Sequence, residues 1–211
     1  MTLKSTNTDL PTNEEISNLI QSGDVFRISI SGVSAIELAL ELLISESLLT
    51  SHRVELSRLS IDFKVDLSIG LGLLHSDSKG LLVKLSKIRN FYAHSFDIGV
   101  DFCPHTELRS CFSKSHRSFV GDRCDTASNF LEAVRISFIA AYHELVQLIE
   151  FQRLKRIQRS EALLHVRAVL EATEPADKEE HKKTLQSKAY AELNNSVEEK
   201  KKEILSRGNQ K

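Results

Sequence analysis

Seven consecutive residues, Ile88-Arg89-Asn90-Phe91-Tyr92-Ala93-His94, hold the combination in this chain best suited to chemistry: a guanidinium, an amide and an imidazole within six positions. Arginine presents a planar fork of donors that matches phosphate oxygens, and histidine is the side chain whose unperturbed proton affinity lies nearest neutral pH. A guanidinium beside an imidazole is a combination suited to handling a phosphate. The plain alternative is that Arg89 and Asn90 cap a helix end while His94 packs under a loop.

Two weaker groupings accompany it. Cys103, His105, Cys111, His116 and Cys124 lie close in sequence, yet they lack the paired spacing of a zinc site and the even count of a disulfide framework. They read as reduced thiols, with no metal and no cofactor expected. Residues 105–123 carry Arg109, Lys114, Arg117 and Arg123 against Glu107 and Asp122, with Phe112 and Phe119 interleaved. Those four cations are candidate RNA contacts, through charge and neighbouring stacking surfaces. A solvated loop anchored by its phenylalanines is the alternative. Arg153, Lys155, Arg156 and Arg159 form a further basic cluster that reads as a solvated helical face.

The elements that must position these residues are helical. From Val33 to Leu49, Ile36, Leu40, Leu43 and Ile44 repeat at helical spacing with Glu37 and Glu41 to one side. Between Ile61 and Leu71 apolar residues alternate as in a strand, but Phe63, Leu67, Leu71 and Leu74 also make a helical stripe. The neighbouring helices favour helix. Pro11-Thr12-Asn13-Glu14-Glu15 resembles the start of a short helix. Ser76-Asp77-Ser78 offers capping side chains for another, whose buried stripe is Leu81, Leu85, Ile88 and Tyr92. Residues 96–124 read as an irregular or mixed connection. Cys124-Asp125-Thr126 then caps a long helix with Phe130, Val134, Phe138, Tyr142, Leu145 and Ile149 as its apolar face, continuing through Leu154, Ile157 and Leu164 towards Leu170.

The chain of 211 residues has a net charge of -1, 41% hydrophobic residues, 3 prolines and no tryptophan. This describes one all-α domain of ordinary size, residues 14–172, between a polar terminus (1–13) and a charged tail (173–211). The near-neutral charge excludes a molecule coated in basic residues, so nucleic-acid binding requires a local patch. Met1 to Asp9 lacks a basic region followed by an apolar run, and the segment Ile136 to Ile149, the longest strongly apolar one, is interrupted by His143 and Glu144. No membrane span is expected, and the expected location is the cytoplasm. The tail, with Leu185, Leu193, Val197 and Ile204 spaced among charges, reads either as a weak coiled coil or as an extension.

R-N-x-x-x-H, here Arg89, Asn90 and His94, is similar to the R-x(4-6)-H signature of the HEPN superfamily. The stretch from Phe63-Lys64-Val65-Asp66-Leu67 through Gly70-Leu71-Gly72-Leu73-Leu74 to Lys87-Ile88-Arg89-Asn90-Phe91-Tyr92-Ala93-His94 resembles its mannitol-operon-repressor-like (MltR) branch. One departure is Phe91-Tyr92, where such proteins often have a polar residue followed by Phe. The resemblance covers residues 55–100 best, 25–54 and 125–155 less well, and the tail not at all. It implies an up-and-down helical bundle with a long C-terminal helix that dimerises near the motif. It further implies a metal-independent endoribonuclease, in which His94 transfers protons, Arg89 clamps the phosphate and Asn90 orients the arginine, the histidine or the RNA. Relatives act as toxins or in antiphage defence, with an antitoxin or regulatory protein as a partner. The competing implication is a non-catalytic regulator of transcription, and a third reading is an adaptor that works through its tail.

On an ideal helix Asn90 and His94 share a face, whereas Arg89 lies about 140° from His94. Convergence of Arg89 with His94 therefore requires the helix to end, bend or meet a neighbour. A single chain also supplies only one motif histidine.

Overall fold

The computed structural model describes residues 10–48, 55–94 and 101–172, together with the isolated helical positions Thr184, Ser187, Lys188, Ala191 and Asn195. Among the described residues there is no strand, and the protein is an all-α bundle ending in a long helix. The expectations for residues 1–9, and for most of the tail, lie outside the described residues. Two compact units divide the chain, Met1–Ile149 and Glu150–Lys211.

In the first unit, α1 (Asn13–Gln21) starts at a capping box in which the Thr12 hydroxyl accepts from the Glu15 amide and the Glu15 carboxylate accepts from the Thr12 amide. A short α2 (Val25–Arg27), capped by Asp24, runs into a π-helical turn (Ile28–Gly32) and then α3 (Val33–Ser47). This continuous helix, Val25–Ser47, is long and apolar enough to cross a membrane by length and composition, a longer apolar element than Ile136 to Ile149, where the longest was expected. Its composition has another cause: it is the central helix of the core. Ile36, Leu40, Leu43 and Ile44 are fully buried, and α3 packs along α4 (Ile61–Gly70) and α5 (Lys79–His94). Gly32 permits a close approach, since a Cβ there would meet the Phe138 ring at 3.0 Å.

The residues of α4 are helical, as the pattern favours, but the buried stripe is not the expected one. Ile61, Val65 and Ser68 face inward together with Lys64, while Phe63 and Leu71 stand 54% and 42% exposed. The cause is Lys64, whose side chain is wholly buried and whose ammonium lies 2.6 Å from both Glu37 and Glu41 of α3. A buried cation needs partners, and the two glutamates, one helical turn apart, rotate the α4 surface so that the Lys64 edge turns inward.

Much of the segment expected as an irregular or mixed connection forms three short helices: α6 (His105–Ser110), α7 (Lys114–Val120) and α8 (Arg123–Thr126). Each is too short to show a periodic stripe. The cap expected at Cys124-Asp125-Thr126 is displaced into α8, and α9 (Phe130–Ala172) begins later. There the Asn129 side chain accepts from the Glu132 amide at 2.9 Å, and the Glu132 carboxylate accepts from the Ser128 amide at 2.7 Å. The expected apolar face of α9 up to Ile149 is buried. In the second unit α9 continues from Glu150 to Ala172, with Leu154, Ile157, Leu163 and Leu164 exposed.

Candidate functional site

The motif sits on the last two turns of α5, which is α-helical without interruption through His94. Leu81, Leu82, Leu85, Ile88 and Tyr92 bury one side of that helix. What remains in solvent is Lys87, Asn90, Ala93 and His94, with Arg89 half-buried at the edge. Asn90 and His94 thus share an exposed face, as their four-residue spacing requires.

Arg89 turns towards Asn90, donating from Nη1 to the amide oxygen at 3.1 Å. That bond fixes the orientation of the amide and uses one of five guanidinium donors. The helix neither ends nor unwinds between Arg89 and His94, so the angular gap between them on one chain persists. Arg89 and Asn90 are therefore brought together, and Asn90 and His94 share a face. No contact places Arg89 against His94 among the described residues.

Tyr92 anchors this end of the helix. Burial, together with the charge of Asp101 and the thiol of Cys103, pushes its phenol up to about 12, although the Phe102 backbone N–H donates to it. Its ring meets Phe26 and Phe91 edge-on, with centroids at 6.4 and 5.2 Å, and Phe91 meets Phe102 at 5.3 Å. The departure Phe91-Tyr92 is thereby used for packing. Lys84 closes the cluster, its ammonium 5.1 Å above the Phe102 ring and 2.5 Å from Glu107. The chain returning at Phe102 is held to α5 at the level of the motif.

The four candidate RNA contacts divide. Arg109 donates to the carbonyl of Ala127. Arg117 binds both oxygens of Asp125 at 3.0 Å and the carbonyl of Arg109 at 3.0 Å, and this pairing holds the Asp125 carboxyl below the usual range. These two arginines tie α6, α7 and α8 together, which leaves fewer of their donors to a nucleic acid. Lys114 and Arg123 are exposed. Phe119 is 44% exposed and stacks face to face on His143, while Phe112 is buried in the core.

The cysteine and histidine grouping is dispersed into structural roles. Among the described residues no three His, Cys, Asp or Glu side chains are arranged to hold a metal ion. Cys103, Cys111 and Cys124 are free thiols, and burial pushes those of Cys103 and Cys124 up. His116 is buried, and its ring completes a capping box: Nδ1 accepts from the Ser113 amide at 3.2 Å. The proton of the neutral ring is therefore on Nε2, which lies 2.8 Å from Glu144. The other Glu144 oxygen accepts from Ser78 at 2.8 Å. Burial drives this carboxyl upward, but His116, Ser78 and Ser115 outweigh it and hold Glu144 below the usual range.

Ser78, expected as a helix cap, thus links the start of α5 to α9, while the His75 ring accepts from the Asp77 amide. Sequence reasoning missed both this knot and the Lys64 knot. A signal for the second was present: a lysine flanked by apolar residues, and a Glu-x-x-x-Glu pair on an otherwise apolar helix. For the first there was none, because Ser78, His116 and Glu144 are far apart in the chain.

Comparison with protein-family models, with curated proteins and with solved structures gives no match.

Proposed function

We propose that the protein is a metal-independent endoribonuclease of the HEPN type, working as a homodimer in the cytoplasm. The observation that carries this reading is the exposed Asn90 and His94 on one face of an uninterrupted, well-anchored helix, with the Arg89 guanidinium bonded to Asn90 beside them. The His116–Glu144 and Arg117–Asp125 pairs are closed on themselves. The α5 face is open to a ligand.

The chemistry is internal cleavage of RNA. A base takes the proton of a ribose 2'-hydroxyl, the oxygen attacks the adjacent phosphorus, and an acid protonates the departing 5'-oxygen, leaving a cyclic phosphate. His94 of one copy serves as base and His94 of the second as acid, which is why two copies are needed. Arg89 neutralises charge growing on the phosphate oxygens, and Asn90 orients the guanidinium. Such an activity stops growth when released, so a toxin or antiphage effector restrained by a partner protein is the role we infer.

Purified protein should cut RNA in EDTA, and His94→Ala should lower the rate by about 100-fold or more. Undiminished cutting by that variant removes His94 from the mechanism. The second reading, a non-catalytic regulator or interaction module, is favoured by one observation: Arg109 and Arg117 are engaged within the fold, which thins the basic surface. It predicts sequence-selective promoter binding at physiological salt with no RNA cleavage, a result that would displace the nuclease.

A further inference from the structure

One aromatic side chain of α7 is not used by the core. Phe119 is 44% exposed, whereas Phe112, Phe130 and Phe138 are buried. One face of its ring lies on the His143 imidazole of α9, with centroids 3.4 Å apart and planes 12° from parallel, which leaves the other face to solvent. His143 is itself held in place. Its Nε2 meets the Gln147 amide at 3.4 Å, and burial keeps its proton affinity below the ordinary value, so the ring is neutral near pH 7. A flat apolar surface is thereby fixed before anything binds to it.

Two cations flank this ring in the chain. Lys114 opens α7 and Arg123 opens α8, and both are exposed. Among the described residues neither side chain makes a hydrogen bond or an ion pair, in contrast to Arg109 and Arg117. Each stands at the first position of its helix, where a positive charge opposes the helix dipole. Stability of the fold therefore does not account for them. Of the two acids on this segment, Asp125 is paired with Arg117 and Asp122 stands exposed.

Glu144, the neighbour of His143, sets where the stack lies on the fold. It accepts from Ser78 and lies 2.8 Å from His116 of α7, so the Phe119 ring is level with the start of α5. That helix is 16 residues long, about 24 Å. The Asn90–His94 face is at its other end.

We propose that Phe119, backed by His143 and flanked by Lys114 and Arg123, is a second subsite that stacks an unpaired nucleobase of single-stranded RNA, with the neighbouring phosphates on the two cations. An aromatic face accepts any base, and cations on both sides fit a nucleotide inside a strand. An apolar peptide would leave the two charges unused. A duplex keeps its bases stacked on one another and offers none to the ring. The proposal rests on the nuclease reading for its consequence: a strand cut at His94 must follow α5 to reach Phe119, so the substrate is single-stranded and several nucleotides long.

Binding is tested on the full chain carrying His94→Ala, so that the RNA stays intact, with a fluorescein-labelled oligoadenylate of about 12 nucleotides read by anisotropy. Phe119→Leu keeps an apolar group against His143 but offers no ring, and should weaken binding roughly 10-fold or more, whereas Phe119→Trp should bind at least as tightly as the parent. Lys114→Glu with Arg123→Glu should weaken binding and flatten its fall with rising salt. Helical circular dichroism should be unchanged throughout, because all three side chains are exposed. Binding that Phe119→Leu leaves intact overturns the subsite. Adenosine monophosphate that binds as tightly as the oligomer marks a free-nucleotide site and overturns the strand.

Cutting by chains with His94 in place separates this proposal from the nuclease itself. Phe119→Leu should raise KM for the oligomer with kcat nearly unchanged, and leave cleavage of a dinucleotide as it was. A protein that binds through Phe119 and cuts nothing upholds the subsite and overturns the nuclease. One that cuts the oligomer with the same KM after Phe119→Leu overturns the subsite and leaves the nuclease standing.

Discussion

Two regions of this protein place charged groups on helices, and they treat them in opposite ways. In the interior, Lys64 with Glu37 and Glu41, and Glu144 with His116 and Ser78, are knots whose polar atoms meet at 2.6–2.8 Å. At the α5 surface, Arg89 and Asn90 share a single 3.1 Å bond, and Asn90 and His94 face solvent. Buried charges must be satisfied within the fold because desolvation leaves no other source of partners. Groups that bind a ligand must keep donors available. The contrast separates polar residues whose partners lie deep within the fold from those that face solvent.

Breaking the interior side of this contrast should give the largest effect on stability. Lys64→Ala leaves two half-buried carboxylates facing each other without their cation, and should cost about 3–5 kcal/mol in urea unfolding. A cost near zero would mean that the knot is not holding α3 to α4. Glu144→Ala strands the buried His116 Nε2–H and the Ser78 hydroxyl, and should cost about 1.5–3 kcal/mol.

Acid should weaken the fold through two partly buried groups on α9. The Glu144 carboxyl is held below its unfolded range, so its contribution is complete above that range and is lost as pH falls through the folded value. Burial also pushes His143 below its ordinary value of 6.5, so the folded state resists its protonation and stability declines as pH drops below about 6.5. Thermal melting followed from about pH 7 to about pH 4 should show a falling midpoint in wild type. The fall below about pH 5 should be shallower in Glu144→Ala, and an identical slope would remove Glu144 as its source.

At the other end, His94→Ala and Asn90→Ala should alter unfolding by no more than about 0.5 kcal/mol, because neither side chain is buried. A loss of several kcal/mol in either variant would collapse the contrast and make the motif a structural element.

Much of the architecture was legible in the residues. The Thr12–Glu15 capping box, the α3 core face and the Leu81, Leu85, Ile88 and Tyr92 stripe of α5 all lie where local spacing puts them, because capping and periodicity act over one or two turns. The helices between His105 and Thr126 were hidden because each is shorter than two full turns. The two arginines at 109 and 117 looked available because their acceptors, the carbonyls of Ala127 and Arg109 and the Asp125 carboxylate, are supplied by the folded chain and carry no compositional mark.

By itself the sequence determined the helical class, the long C-terminal helix and the shared face of Asn90 and His94, since each follows from repeat distances along one helix. Only the tertiary structure decided which face of α4 is buried. The periodicity of Phe63, Leu67 and Leu71 suggests one inward face, but Lys64, drawn inward by Glu37 and Glu41, leaves Phe63 and Leu71 in solvent. An ion pair between residues distant in the chain overrode a local apolar pattern, because a buried ammonium is costlier to leave unpaired than a few apolar side chains are to leave in water.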